Sequence, residues 1–188
     1  MNEIMKIIGP GLWYIIHMYE INDQNDIFDY EELLFKIKDM LPCNICKEDF
    51  KVILYENIYR LYICNDYQGV YNFSIYIHNI VNKKLKKRIF KYTDKINFNM
   101  NEIESGLWYI IYNYSTEDIS KYKKLLFKIN ILFPNSNFKK YYYLVLNNNI
   151  HKCKNVKEFS IYIHNLVNKK LGKSEVEIYE YQCENCNF

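Results

Sequence analysis

The chain carries one pattern twice. FSIYIHNIVNKKL from Phe73 and FSIYIHNLVNKKL from Phe159 differ at one position in thirteen, and GLWYII stands at both Gly11–Ile16 and Gly106–Ile111. LLFKI likewise occurs at Leu33–Ile37 and at Leu125–Ile129. The spacing between copies shrinks along the chain, from 95 (Gly11 to Gly106) to 92 (Leu33 to Leu125) to 86 (Phe73 to Phe159). Residues have been lost between matched blocks and not within them, which loops tolerate and packed elements do not. The chain must therefore solve one packing problem twice. One feature breaks the equivalence: PCNIC, Pro42–Cys46, has no counterpart in the second copy.

The repeated segments read as helices. Trp13, Ile16 and His17 share a face, as do Leu33, Leu34, Ile37 and Leu41, and again Phe73, Ile77, Ile80, Val81 and Leu85, all at helical spacing. The spacing predicts helices near 8–20, 29–40, 43–58 and 71–88, then near 104–114, 118–132, 136–149 and 156–171. Pro42 just ahead of Cys43 suits a helix start. Short loops favour antiparallel neighbours. The expected fold is all-α: two tandem four-helix bundles packed as an intramolecular pseudo-dimer. The expected units are 1–90, a connector at 91–103, a second bundle at 104–173 and a tail at 174–188. At roughly 90 residues a single bundle is marginal alone, which is a reason for the two to pack together.

Composition narrows the function classes. A net charge of +3 is too small to argue for nucleic acid. KKLKKR, Lys83–Arg88, is the one dense basic run and suits the negative end of a helix dipole. No apolar stretch reaches the roughly 18 residues that span a bilayer. The amino terminus, with Gly9, Pro10 and Gly11 inside it, does not read as a signal peptide. Six cysteines in such a chain argue for redox or metal chemistry rather than a disulfide scaffold.

Cys43 and Cys46, three apart, can close a disulfide across the first turn of a helix. The positive end of the helix is expected to lower a thiol pKa there and so favour thiol–disulfide exchange. A second pair, Cys183 and Cys186, closes the chain. Two readings stand side by side: the tail pair is a dithiol shuttle serving Cys43 and Cys46, or the four thiolates bind one zinc. Cys64 and Cys153, at similar places in the two copies, are either free core thiols or a bridge between the halves.

His78 and Asn82 lie four apart on one helical face with Asn79 beside them, and Trp13 and His17 are also four apart. Buried polar groups of this kind need partners, which a purine, a ribose and a pyrophosphate could supply. In sequence order, Gly9-x-x-x-Trp13-x-x-x-His17, then PCNICKEDF, then HNIVNKKLKKRIF from His78, the first copy resembles the Erv/ALR family of FAD-linked sulfhydryl oxidases. The resemblance covers about residues 7–90 closely and 104–173 as a degenerate copy. It implies a helical bundle holding FAD beside the CxxC. Cys46 would face the flavin ring and Cys43 would exchange with incoming dithiols. Gly9, Trp13 and His17 would form one wall, and His78, Asn79, Asn82, Lys84, Lys87 and Phe90 would surround adenine, ribose and phosphates. No metal site is implied. Two departures stand out: Pro10 replaces a frequent Arg, and Phe73 and Ile75 replace an aromatic and a Cys, so the usual structural disulfide from that helix is missing.

In the second copy Cys43 becomes Asn135, Cys46 becomes Phe138, His17 becomes Tyr112 and Gly9 becomes Glu104, whereas His164, Asn165, Asn168, Lys170 and Lys173 persist. The resemblance thus implies a thiol oxidase in the first half, using dioxygen and releasing hydrogen peroxide, with the second half in place of a homodimer partner. Its partners would be thiol-containing proteins or a thioredoxin-like carrier, with neither nucleic acid nor membrane. Relatives work in the mitochondrial intermembrane space, the secretory pathway and large DNA viruses, and the AT-rich codon bias suits the last. The rival reading is a zinc-stabilised helical interaction module without catalysis.

Overall fold

The computed structural model describes residues 3–94 and 98–176. Among them lie eight α-helices and no strand: α1 (Glu3–Met18), α2 (Gln24–Met40), α3 (Asn44–Asn57), α4 (Tyr67–Lys84), α5 (Met100–Asn113), α6 (Ile119–Leu132), α7 (Ser136–Asn149) and α8 (Val156–Leu171). Short 3-10 turns, Ile58–Ile63 and Ile150–Lys152, follow α3 and α7. The all-α expectation holds, and α7 and α8 fall where the apolar period puts them. Among the described residues no helix is long and apolar enough to cross a membrane.

The differences lie at helix ends, and caps explain most of them. α2 begins five residues before the expected Asp29, because Asp23 accepts the Asp26 N–H and caps the helix. α4 begins at Tyr67 rather than 71 because Asp66 caps it through the Gly69 N–H. α1 runs straight through Pro10, which lacks an amide hydrogen, so packing rather than propensity holds it there. α4 stops at Lys84, four residues short of 88. There Lys86 turns left-handed (φ 54°), and the Lys87 N–H reaches back to the Asn82 carbonyl at 2.8 Å. α8 ends the same way, with Gly172 (φ 66°) at that place and Lys173 N–H on the Asn168 carbonyl at 2.9 Å.

One apolar core runs through both halves. Its members recur as repeat counterparts: Ile15 and Ile110, Leu34 and Leu126, Ile37 and Ile129 are all fully buried. Tyr30 and Tyr122, also fully buried, donate to the carbonyls of Ile16 and Ile111 at 2.8 and 3.1 Å, again counterparts. The halves join chiefly where α1 packs on α5. Gly11 meets Gly106 so closely that a Cβ on Gly11 would lie 2.6 Å from the Gly106 Cα, and one on Gly106 would lie 2.5 Å from the Gly11 Cα. No side chain fits there. The same position from each copy makes this contact.

Candidate functional site

Cys43 caps α3. Its extended backbone (φ −112°, ψ 117°) turns the Sγ back to accept the Cys46 N–H at 3.3 Å, while its carbonyl accepts the Lys47 N–H at 2.9 Å. The two sulfurs thus share the first helical turn, both half-buried and both free thiols. The expected lowering of pKa by the helix start is not what Cys46 shows. Burial, together with the neighbouring Cys43 thiol, pushes it up to about 12. At this half-buried position desolvation outweighs the helix dipole. Asp49, in the same helix, pairs with Lys84 at 2.7 Å and so ties the start of α3 to the end of α4.

A ring cluster lies between α1, α3 and α4. Trp13 stacks on His78 (centroids 3.8 Å apart, planes 8° apart), meets Phe50 edge-on at 6.0 Å and lies near His17 at 5.7 Å. Phe50 sits one turn beyond Cys46 on α3. In the second half Phe138, at the place of Cys46, lies edge-on to Trp108 at 6.2 Å, so this helical position opens towards the tryptophan.

The imidazoles are buried and linked. His17, 1% exposed, places Nδ1 2.7 Å from Ser74 Oγ and Nε2 2.9 Å from His78 Nδ1. Ser74 Oγ in turn lies 2.6 Å from the Tyr71 carbonyl oxygen. Two oxygens that close need a proton between them, so Ser74 donates to Tyr71 and accepts from His17 Nδ1–H. Burial, and then each other's or nearby charge, lowers His17 to about 3 and His78 to about 4, so both are neutral at pH 7. His17 Nε2 is then a bare acceptor, His78 Nδ1–H donates to it, and His78 Nε2 is left with a lone pair. Lys87 is the charge that adds to the lowering at His78. Ser74 and the Tyr71 carbonyl were not among the residues singled out from sequence. The available signal was Ser74 four residues before His78, repeated as Ser160 four before His164.

The remaining expected residues divide by what holds them. The Asn79 amide is engaged at both ends by the Phe90 backbone, donating to its carbonyl at 2.8 Å and accepting its N–H at 2.9 Å. It fastens the segment after α4 and brings the Phe90 ring to 5.2 Å from His78. Asn82 is buried on the same helix. Gly9 is buried, yet a Cβ there would meet nothing nearer than Met5 Cε at 4.0 Å. Its missing side chain is therefore not explained by protein packing, unlike that of Gly11. Phe98, from the connector, adds a ring 6.3 Å from His17.

The second half repeats the frame with bulkier side chains at several positions. Trp108 stacks on His164 at 3.7 Å, and Tyr112, in place of His17, bonds His164 Nδ1 through its hydroxyl. Asn165 clasps Val176 as Asn79 clasps Phe90. Asn135 caps α7 as Cys43 caps α3, by accepting the Asn137 and Phe138 N–H groups. Phe133 and Phe138 pack together at 4.5 Å against Trp108. Glu104, half-buried, takes the place of Gly9, and burial pushes its carboxyl above the usual range.

Cys64 and Cys153 are free thiols. Among the described residues no group of three or more His, Cys, Asp or Glu could hold a metal ion. Cys183 and Cys186, on which both the shuttle and the four-thiolate zinc reading depend, lie outside the described residues. Comparison with known proteins gives one result: residues 10–102, which hold Trp13, His17, the CxxC and the HN segment, match the model of the Erv1 / Alr family. No curated protein and no solved structure matches the chain. Through its amino-terminal half the chain belongs to the Erv1 / Alr family of sulfhydryl oxidases.

Proposed function

We propose that the first half is an FAD-dependent sulfhydryl oxidase that makes disulfides from dithiols, with dioxygen as acceptor and hydrogen peroxide as product. The observation that carries this is the paired thiols of Cys43 and Cys46, which share a helix with Phe50, a residue packed on the Trp13–His17–His78 cluster, within the family match. The residues fit the cofactor. Trp13 and Phe90 offer aromatic surface, and His78 offers a neutral Nε2 acceptor. The basic run Lys83–Arg88 suits a pyrophosphate, and a Cβ on Gly9 would meet nothing nearer than Met5 Cε at 4.0 Å. Gly9, Trp13, His17, His78, Asn82, Lys84 and Lys87 would hold FAD, with Asn79 and Phe90 shaping the wall. When bound, FAD supplies a two-electron sink that dioxygen can regenerate.

The chain's own residues handle the sulfur chemistry. A substrate thiolate attacks the Cys43 sulfur of the oxidised pair, forming a mixed disulfide and releasing Cys46. The second substrate thiol displaces Cys43, so the substrate leaves oxidised and the pair is left reduced. Burial makes a Cys46 thiolate costly in the protein alone, so Cys46 of the reduced pair rests as a thiol. Burial keeps the imidazole cluster uncharged, so the positive charge for a phosphate would come from the basic run, with Lys87 and the Asp49-paired Lys84 in it.

The second half stands in for a partner subunit, and the chain is an intramolecular pseudo-dimer. The Gly11–Gly106 contact, made by one position from each copy, supports this, since a twofold interface has that reciprocity. Glu104 in place of Gly9 and Phe138 in place of Cys46 put bulk where the first half has little, which supports one FAD per chain. The tail pair Cys183 and Cys186 would pass electrons from protein thiols or a thioredoxin-like carrier to Cys43. The test is oxygen uptake by the FAD-loaded protein with dithiothreitol. Cys43→Ser and Cys46→Ser should each abolish it, and undiminished uptake in either would defeat the assignment.

A further inference from the structure

The halves also meet where α2 faces α6, and the sequence there changes in one respect. DIFDYEELLFKI from Asp26 and DISKYKKLLFKI from Asp118 differ at four positions, and at three of them an acid has become lysine: Asp29 to Lys121, Glu31 to Lys123 and Glu32 to Lys124. Lys121 Nζ lies 2.6 Å from Glu32 Oε2, and Lys124 pairs with Asp29. Position 29 of one copy therefore faces position 32 of the other, in both directions. A small cavity of about 30 Å³ between the helices repeats the symmetry. It is lined by four counterpart pairs: Tyr19 and Tyr114, Asp29 and Lys121, Glu32 and Lys124, Leu33 and Leu125.

We propose that this interface is charge-coded for unlike halves: it joins the acidic copy to the basic copy and rejects a like pair. Two first halves placed in the same geometry would set Asp29 against Glu32 twice, and two second halves would set Lys121 against Lys124 twice. Like charges so placed repel, and partner choice is set as much by what an interface refuses as by what it accepts. A third ion pair, Lys128 with Asp26, does not discriminate, because Asp26 and Asp118, and Lys36 and Lys128, are the same in both copies. Selectivity therefore rests on positions 29 and 32. The consequence is a chain that closes its own dimer surface, with Cys43 and Cys46 the one CxxC within the two paired copies. The inference rests on the paired-halves reading above but not on flavin chemistry.

Charge exchange in the full chain tests it. Asp29→Lys with Glu32→Lys makes positions 29 and 32 basic in both copies, and Lys121→Asp with Lys124→Glu makes them acidic in both. The pairs are partly exposed, so each double variant should lower the thermal midpoint by roughly 4–10 °C at low salt. Molar salt should shrink that loss by about half or more as the Debye length contracts. The quadruple variant, with charges exchanged across the contact, should recover most of the midpoint. If the double variants melt with the wild type, or the quadruple variant is no better than either or fails to fold, charge does not select the partner. Gly11→Leu separates the two readings: if it folds as the wild type does, the paired-halves interface itself is wrong.

Discussion

Acid should unfold this protein at a pH where most folds of its size still stand. Three imidazoles are held neutral by burial: His17 at about 3, and His78 and His164 at about 4. In the unfolded chain each titrates near 6.5. Below that pH the unfolded state binds protons that the fold refuses, so stability is present above 6.5 and drains as pH falls towards 4 and 3. At pH 5 each group costs about 2 kcal/mol relative to pH 8, and three together about 6 kcal/mol as an upper value. That is comparable with the whole stability of many domains, about 5–15 kcal/mol. Asp26 does not blur the window. Burial opposes its ionisation, but Lys128 and Asn22 more than compensate, so its carboxyl titrates below the usual range. Glu104, raised by burial, works in the opposite direction near its own pKa and trims the slope. The assay is urea unfolding at steps between pH 8 and 5, with the stability slope read as protons taken up. The expected uptake approaches about three between pH 6 and 5, a slope of roughly 4 kcal/mol per pH unit. His164→Phe should remove about a third of that slope. A stability constant to within about 1 kcal/mol across the range would refute the neutral, buried assignment.

Ser74→Ala should cost about 1–3 kcal/mol, because the His17 Nδ1–H then lacks an acceptor in a buried site. Imidazole nitrogen NMR should show His78 protonated at Nδ1 in the wild type and a mixed tautomer in the variant. Protonation at Nε2 in the wild type would reverse the relay drawn above. Lys86→Gly should stabilise the fold by about 1 kcal/mol, since Lys86 holds the left-handed turn (φ 54°) that Gly172 makes in the second half. A loss of stability would mean that the lysine side chain, rather than the turn, matters at that end of α4.

The sequence made the fold class and the repeat legible because apolar periodicity and duplicated blocks report directly on core faces. Helices α7 and α8 follow the pattern end to end. Helix starts were less legible where polar residues do capping work. Asp23 and Asp66 look like loop in the strings NDQND and CNDYQ, yet each opens a helix. The end of α4 was hidden because a lysine takes a left-handed turn that a glycine would have announced. Of the site, Trp13, His17 and His78 form one ring cluster between α1 and α4, Phe50 of α3 meets Trp13, and Cys43 and Cys46 stand at the start of that same α3. Asn79 reads from sequence as a ligand residue, and the structure adds a second task, since its amide donates to and accepts from the Phe90 backbone. The pKa of Cys46 was misjudged because sequence shows the helix start and not the depth at which the sulfur sits. The charge exchange between Asp29, Glu32 and their lysine counterparts was readable in the alignment of the copies, but its meaning needed the facing helix.

The most direct test is anaerobic addition of dithiothreitol to protein purified with excess FAD, followed by its visible absorption. A bound flavin that bleaches in the wild type and stays coloured in Cys46→Ser is the expected result, at one flavin per chain. A protein that takes up no flavin, or a Cys46→Ser variant that bleaches as fast as the wild type, would contradict the account.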